Sequence, residues 1–122
     1  MNAITPTTIQ KEDQTSKIFK ALASPSRRRI LTLLRNDGQC VCHIEAFTGF
    51  RQAYISQQLK VLKDAGLIID EREGWNIYYR VSKPEIFRAL DDIAQLTGEP
   101  VEPFRKQTIS CSCPKCNKEL KN

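Results

Sequence analysis

At 122 residues the chain has the length of one domain, large enough for a single hydrophobic core and in the size range that gains stability by pairing with a second copy. Nineteen Lys and Arg against 14 Asp and Glu give a formal charge of +5, mild support for an anionic partner such as a phosphate backbone. Residues 1–13 are polar, are interrupted by Pro6 and lack the apolar run of a secretory signal, and no stretch is long enough to cross a bilayer, so a membrane protein is excluded and a reducing cytoplasm is expected.

Residues 15–22 repeat Ile18, Phe19 and Leu22 at helical spacing. Ser24 and Pro25 supply an N-cap and a proline at the first helical position, so a second helix starts there. It buries Ile30, Leu33 and Leu34, shows Arg27, Arg28 and Arg29 as a solvated face, and stops at Asn36-Asp37-Gly38. A short third helix over residues 41–48 turns Ile44 and Phe47 inward and ends at Gly49. The fourth, over residues 52–65, has Ile55, Leu59 and Leu62 as its inner stripe and Gln52, Ser56, Gln57, Lys60 and Lys63 outside, and Gly66 closes it.

Beyond Gly66 the period changes to two. Residues 67–69 and 77–81 read as a hairpin with its turn around Gly74. A final helix over residues 84–96 gathers Ile86, Phe87, Leu90, Ile93 and Ala94 on one broad face, which together with the apolar first helix suits a dimer interface. Gly98, Pro100 and Pro103 then mark a linker ahead of a Lys-rich tail holding Cys111, Cys113 and Cys116.

The expected fold is therefore mainly α with a β-hairpin: a winged helix-turn-helix of five helices and a two-stranded wing, dimeric through its terminal helices. Residues 1–14 form a flexible segment, 15–97 the DNA-binding and dimerisation domain, and 98–122 the linker and cysteine-rich tail. Five stretches in order carry a family resemblance: Ala21-Leu22-Ala23-Ser24-Pro25-Ser26-Arg27 with Ile30-Leu31, Cys40-Val41-Cys42, residues 55–62, Ala65-Gly66-Leu67, and Ile77-Tyr78-Tyr79-Arg80-Val81. Together they resemble the ArsR/SmtB metal-responsive repressors over residues 15–97. That resemblance implies a homodimer that binds double-stranded operator DNA, leaves it when an ion binds, and has no enzymatic activity.

Glutamine, serine and lysine on one helix face are groups that reach base edges and phosphates in a major groove. Gln52, Ser56, Gln57 and Lys60 are the expected contacts, with Arg72 on the wing and Trp75 or Asn76 as further wing candidates. Asp70, Glu71 and Glu73 there repel phosphate and weaken the case for the wing.

The five cysteines fall in two tight clusters, Cys40 with Cys42 and Cys111 with Cys113 and Cys116. In a reducing compartment such clusters are ligands or redox groups more often than structural disulfides. Two residues apart on a helix, side chains point to nearly opposite sides, so Cys40 and Cys42 are expected to share an ion only by distorting the start of the third helix. A helix N-terminus favours the thiolate form, and the family comparison places the inducer site here. Three tail sulfurs suit As(III) or Sb(III); combined with Cys40 and Cys42 they suit Cd(II) or Pb(II), in preference to Zn(II). The linker, at most ~45 Å long when extended, reaches either protomer, so one shared site, two separate sites and a tail that only stores zinc or is disordered all stay open.

His43 beside the pair reads as a partly exposed helix side chain in preference to a ligand. Related zinc sensors use carboxylates and histidines on the last helix, where this chain has Asp91 and Asp92 and no histidine. A thiol-based redox or sulfide-responsive regulator is the rival expectation, with Arg105, Lys106, Lys115 and Lys118 favouring reactive thiolates in the tail. A thiol enzyme is disfavoured, because one histidine on a structural helix is no placed base.

Overall fold

The computed structural model describes residues 12–35 and 37–99. Expectations for the N-terminal segment up to residue 11, for Asn36 and for the tail from residue 100, including Cys111, Cys113 and Cys116, fall outside them. Among the described residues the order is α1 (Gln14–Leu22), α2 (Pro25–Leu33), β1 (Gln39–Cys40), α3 (Val41–Thr48), α4 (Gln52–Asp64), β2 (Ile68–Glu73), β3 (Asn76–Val81) and α5 (Ile86–Thr97). This is the mainly helical winged helix-turn-helix that the pattern predicts.

Local chemistry sets the helix ends. Asp13 caps α1 by accepting the Ser16 N–H at 2.7 Å, and Ser24 accepts the Arg27 N–H ahead of Pro25 at the first position of α2. Gly49 ends α3 in the left-handed conformation, φ 76°, which a side chain would strain. The Thr48 hydroxyl donates to the Ile44 carbonyl and accepts the Phe50 N–H, which ties the turn into α4 to the end of α3.

The core sits where α2, α3 and α4 meet the base of the hairpin. Ile30, Ile44, Ile55 and Leu62 are fully enclosed, each side chain contributing roughly 1.5–3 kcal/mol by leaving water. In α2 it is Leu31 that is buried, while Leu33 is only partly so, a reversal of the periodicity reading. In α5, Phe87 is buried and Ile86 and Leu90 lean on the core, but Ile93 and Leu96 remain exposed, as does Phe19 of α1. One broad apolar face on α5 thus divides between closing the core and facing outward.

The sheet has three strands in the order β1-β3-β2, all antiparallel. β2 runs through Glu73, four residues past the expected strand at residues 67–69, and reaches β3 by a two-residue connection with Gly74 at φ 64°, the position where a II′ turn demands glycine. The third strand is the one the sequence does not announce: Gln39 pairs with Tyr79 and Cys40 with Tyr78. Two residues are too few for a period-two signal. Its consequence is that Cys40 belongs to the same sheet as the wing.

Candidate nucleic-acid interface and thiol site

Helix α4 presents Gln52, Ser56, Gln57 and Lys60 as exposed side chains, because Ile55, Leu59 and Leu62 turn the other side of the helix into the core. Gln52, Ser56 and Lys60 recur every four residues and form one stripe, with Gln57 beside it. The structure brings these four expected contacts together on one surface. Lys63, also expected outside, is held by Asp70 of β2 at 2.8 Å.

Two residues of this helix escape the outward list. Gln58 is buried on the inner face, where its amide oxygen accepts from Arg27 Nη1 at 2.9 Å. Its spacing three residues after Ile55 and four before Leu62 was the signal available: a polar residue in an apolar stripe needs a partner. Tyr54 donates its hydroxyl to Ser26 Oγ at 2.8 Å and meets Phe50 edge-on, with ring centres 5.3 Å apart. Arg27 and Arg28 correct the expectation of a solvated arginine face. They donate to the Lys20, Ala21 and Leu22 carbonyls, the last turn of α1, where the helix dipole favours a cation.

On the wing, Arg72 is exposed near the tip and Trp75 is completely exposed. Of the three carboxylates that would repel phosphate, Asp70 is paired with Lys63 and Glu71 with Arg80. The Lys63 hydrogen bond holds the Asp70 carboxyl below its ordinary pKa, and Asp70 in turn raises that of Lys63. Wing acidity is therefore largely answered by cations of the chain itself.

The geometry of the thiol pair differs from the expectation. Cys40 is not a helical residue; it is the N-cap of α3, with extended backbone at φ −83° and ψ 164°. The 100° step between helix positions does not apply to it, and its sulfur lies 2.8 Å from that of Cys42 in the first turn. The two sulfurs converge without any unwinding of α3. Two sulfurs so placed are within reach of one soft ion. Cys40 is buried and Cys42 exposed.

His43, expected partly exposed, is buried and packs its ring against Phe47 at 4.8 Å. Among the described residues no three His, Cys, Asp or Glu side chains gather closely enough to hold a metal ion, so a third donor for the pair would come from elsewhere. On α5, Asp91 takes both arms of Arg35 at 3.0 and 2.7 Å, and that hydrogen-bonded pairing lowers the pKa of its carboxyl. No helix among the described residues is long and apolar enough to cross a membrane.

Comparison with known proteins agrees with this architecture. Residues 24–70 match the model of the family described as "Bacterial regulatory protein, arsR family". The chain is 36% identical over 87 residues to the HTH-type transcriptional regulator NmtR of Mycobacterium tuberculosis, covering 71% of this chain and 72% of that one. It is 37% identical over 82 residues to the arsenic resistance transcriptional regulator ArsR1 of Pseudomonas putida, covering 66% and 62%. Its fold superposes with a TM-score of 0.65, at 28% identity and over 84% of this chain and all of the other, on a homodimeric winged helix-turn-helix DNA-binding domain from Mycobacterium bovis. The relative that is 36% identical over most of both lengths places this chain, with its exposed α4 and wing, in the ArsR family of DNA-binding transcriptional regulators, which are not enzymes.

Proposed function

We propose that the chain is a homodimeric repressor that binds double-stranded operator DNA and is released when a thiophilic ion, As(III) or Sb(III), or Cd(II) or Pb(II), binds its cysteine thiolates. Gln52, Ser56, Gln57 and Lys60 enter the major groove, and Arg72 meets the backbone from the wing. Cys40 and Cys42 are the ion's first two ligands, and Cys111, Cys113 and Cys116 of the tail complete the site. The division into residues 1–14, 15–97 and 98–122 is kept as part of this reading.

The observation that carries it is the convergence of Cys40 and Cys42 at the start of α3, the helix that precedes the DNA-reading helix. Soft thiolates at a helix N-terminus select soft ions. An ion held by the pair acts at the junction of β1, paired to the wing strand, and α3, which leads through Gly49 into α4. A coupling of ~1 to 3 kcal/mol is enough for release. Exposed Phe19, Ile93 and Leu96 on the two terminal helices support the dimer, since such apolar surface is costly to leave in water. The names of relatives such as ArsR1 point the same way.

The test is an anaerobic titration of the reduced chain with As(III), Cd(II), Pb(II) and Zn(II), read by thiolate absorption and by release of DNA selected from random duplexes. Tight binding lost in Cys40→Ser, with DNA no longer released, is the expected outcome. Loss in a chain ending at Ser110 as well places the tail in the same site. The close sulfurs also favour a second reading, a thiol redox regulator. It takes over if no ion binds tightly while mild oxidant joins the cysteines and releases DNA.

A further inference from the structure

The three nitrogens of the Arg27 guanidinium reach three acceptors in two helices. Nε meets the Ala21 carbonyl at 2.7 Å and Nη2 the Lys20 carbonyl at 2.9 Å, both at the end of α1, while Nη1 meets Gln58 Oε1 of α4 at 2.9 Å. Gln58 is 9% exposed and lies in the stripe formed by Ile55 and Leu62. A leucine there would hold α4 to the core as well, because apolar contact has no preferred direction. A hydrogen bond does: it weakens steeply with angle, and so it fixes the rotation of the helix about its axis.

We infer that Arg27 is a positioning residue that ties the rotational setting of α4 to the end of α1. Other ties act on the same helix. The Tyr54 hydroxyl reaches Ser26 in the first turn of α2, and Gln14 of α1 donates to the Ala65 carbonyl at the end of α4. The inference rests on the proposed reading, in which α1 contributes to the dimer contact and α4 meets DNA. In that dimer the two copies of α4 must face successive major grooves, about one helical turn of DNA apart, and each arginine passes the setting of the interface to its own reading helix. A plain phosphate contact by Arg27 is the competing role. The two differ in chemistry, since a lysine can replace a phosphate contact but cannot serve three divergent acceptors.

The experiment uses the full reduced chain and its Arg27→Lys, Arg27→Met and Gln58→Leu variants and the Arg27→Met/Gln58→Leu double variant. Affinity is measured for DNA selected by the wild type and for random duplex, over a range of salt. Expected is a loss of about tenfold or more for selected DNA in all four, the lysine variant included, with random-duplex affinity and the salt slope held near wild type. The double variant loses no more than the worse single one. Gln58→Leu, which adds apolar core, stays folded and isolates the setting of the helix from the arginine charge. The inference is overturned if lysine restores affinity while Arg27→Met lowers the salt slope by about one, the mark of a phosphate contact. It is also overturned if Gln58→Leu binds selected DNA as the wild type does. A wild type that selects no sequence at all instead brings down the repressor reading on which the inference stands.

Discussion

Helix α4 and the β2–β3 hairpin both face DNA in the proposed complex, and they are held in different ways. Four residues of α4 are buried, and side chains from α1 and α2 reach it at three places along its length. Of the two six-residue strands of the hairpin only Ile68 and Tyr78 are buried, and the tip from Glu73 to Trp75 stands in solvent. Reading base edges demands a helix fixed to within ~10–20°, whereas backbone contacts tolerate a compliant arm. The chain places its cross-links accordingly.

The largest test of that contrast is Leu59→Ala on α4 against Ile77→Ala on the hairpin. The first opens a cavity in an enclosed site and should cost ~2–5 kcal/mol in urea unfolding, the second clearly less because Ile77 is only partly covered. Equal losses would mean the hairpin is as integral to the core as the helix. Next in size, Gln57→Ala should weaken selected DNA by ~1–3 kcal/mol and relax preference at one base position, leaving random duplex unchanged. A uniform loss across sequences would instead make Gln57 a backbone contact.

Trp75 is the chain's sole tryptophan and lies at the wing tip, so its emission reports that tip alone. If the wing meets DNA, selected duplex shifts the emission to shorter wavelength and shields it from iodide, and Trp75→Ala weakens binding by a modest factor. Unchanged emission at saturation would confine recognition to α4. The smallest effect concerns the Lys63–Asp70 link between the two regions. Asp70 has a depressed pKa when folded, so its contribution is present above the carboxylate's ordinary range and is lost as the pH falls through the lower folded value, below about pH 4. Acid unfolding of Asp70→Asn should lack that part of the wild-type response, and because the pair is exposed the difference is slight.

Much of this was legible in the sequence for identifiable reasons. The stripe Ile55, Leu59, Leu62 and the stops at Gly49 and Gly66 are local signals, and they yield α3 and α4 with ends within a residue. The exposed set Gln52, Ser56, Gln57 and Lys60 follows from the same periodicity. What the sequence hid depends on contacts across the chain. Arg27 reads as surface until the carbonyls of α1 and the amide of Gln58 are in place around it. Strand β1 exists only because β3 offers it an edge. His43 is buried through its place in the α3 packing, which a lone histidine does not advertise. The convergence of Cys40 and Cys42 was hidden by treating both as helical, when the first lies outside the helix.

That N-cap position carries a trade between robustness and responsiveness. Oxygen side chains are the usual residues at a helix start, worth ~0.5–2 kcal/mol over those that cannot accept a backbone N–H, and Cys40 makes no side-chain capping bond. Replacing its sulfur by a hydroxyl oxygen should therefore raise the melting temperature of the ion-free chain while removing a soft ligand. In the proposed sensor Cys40→Ser would be the sturdier molecule and the deaf one, so that selection for heat tolerance alone would erode the response one atom at a time.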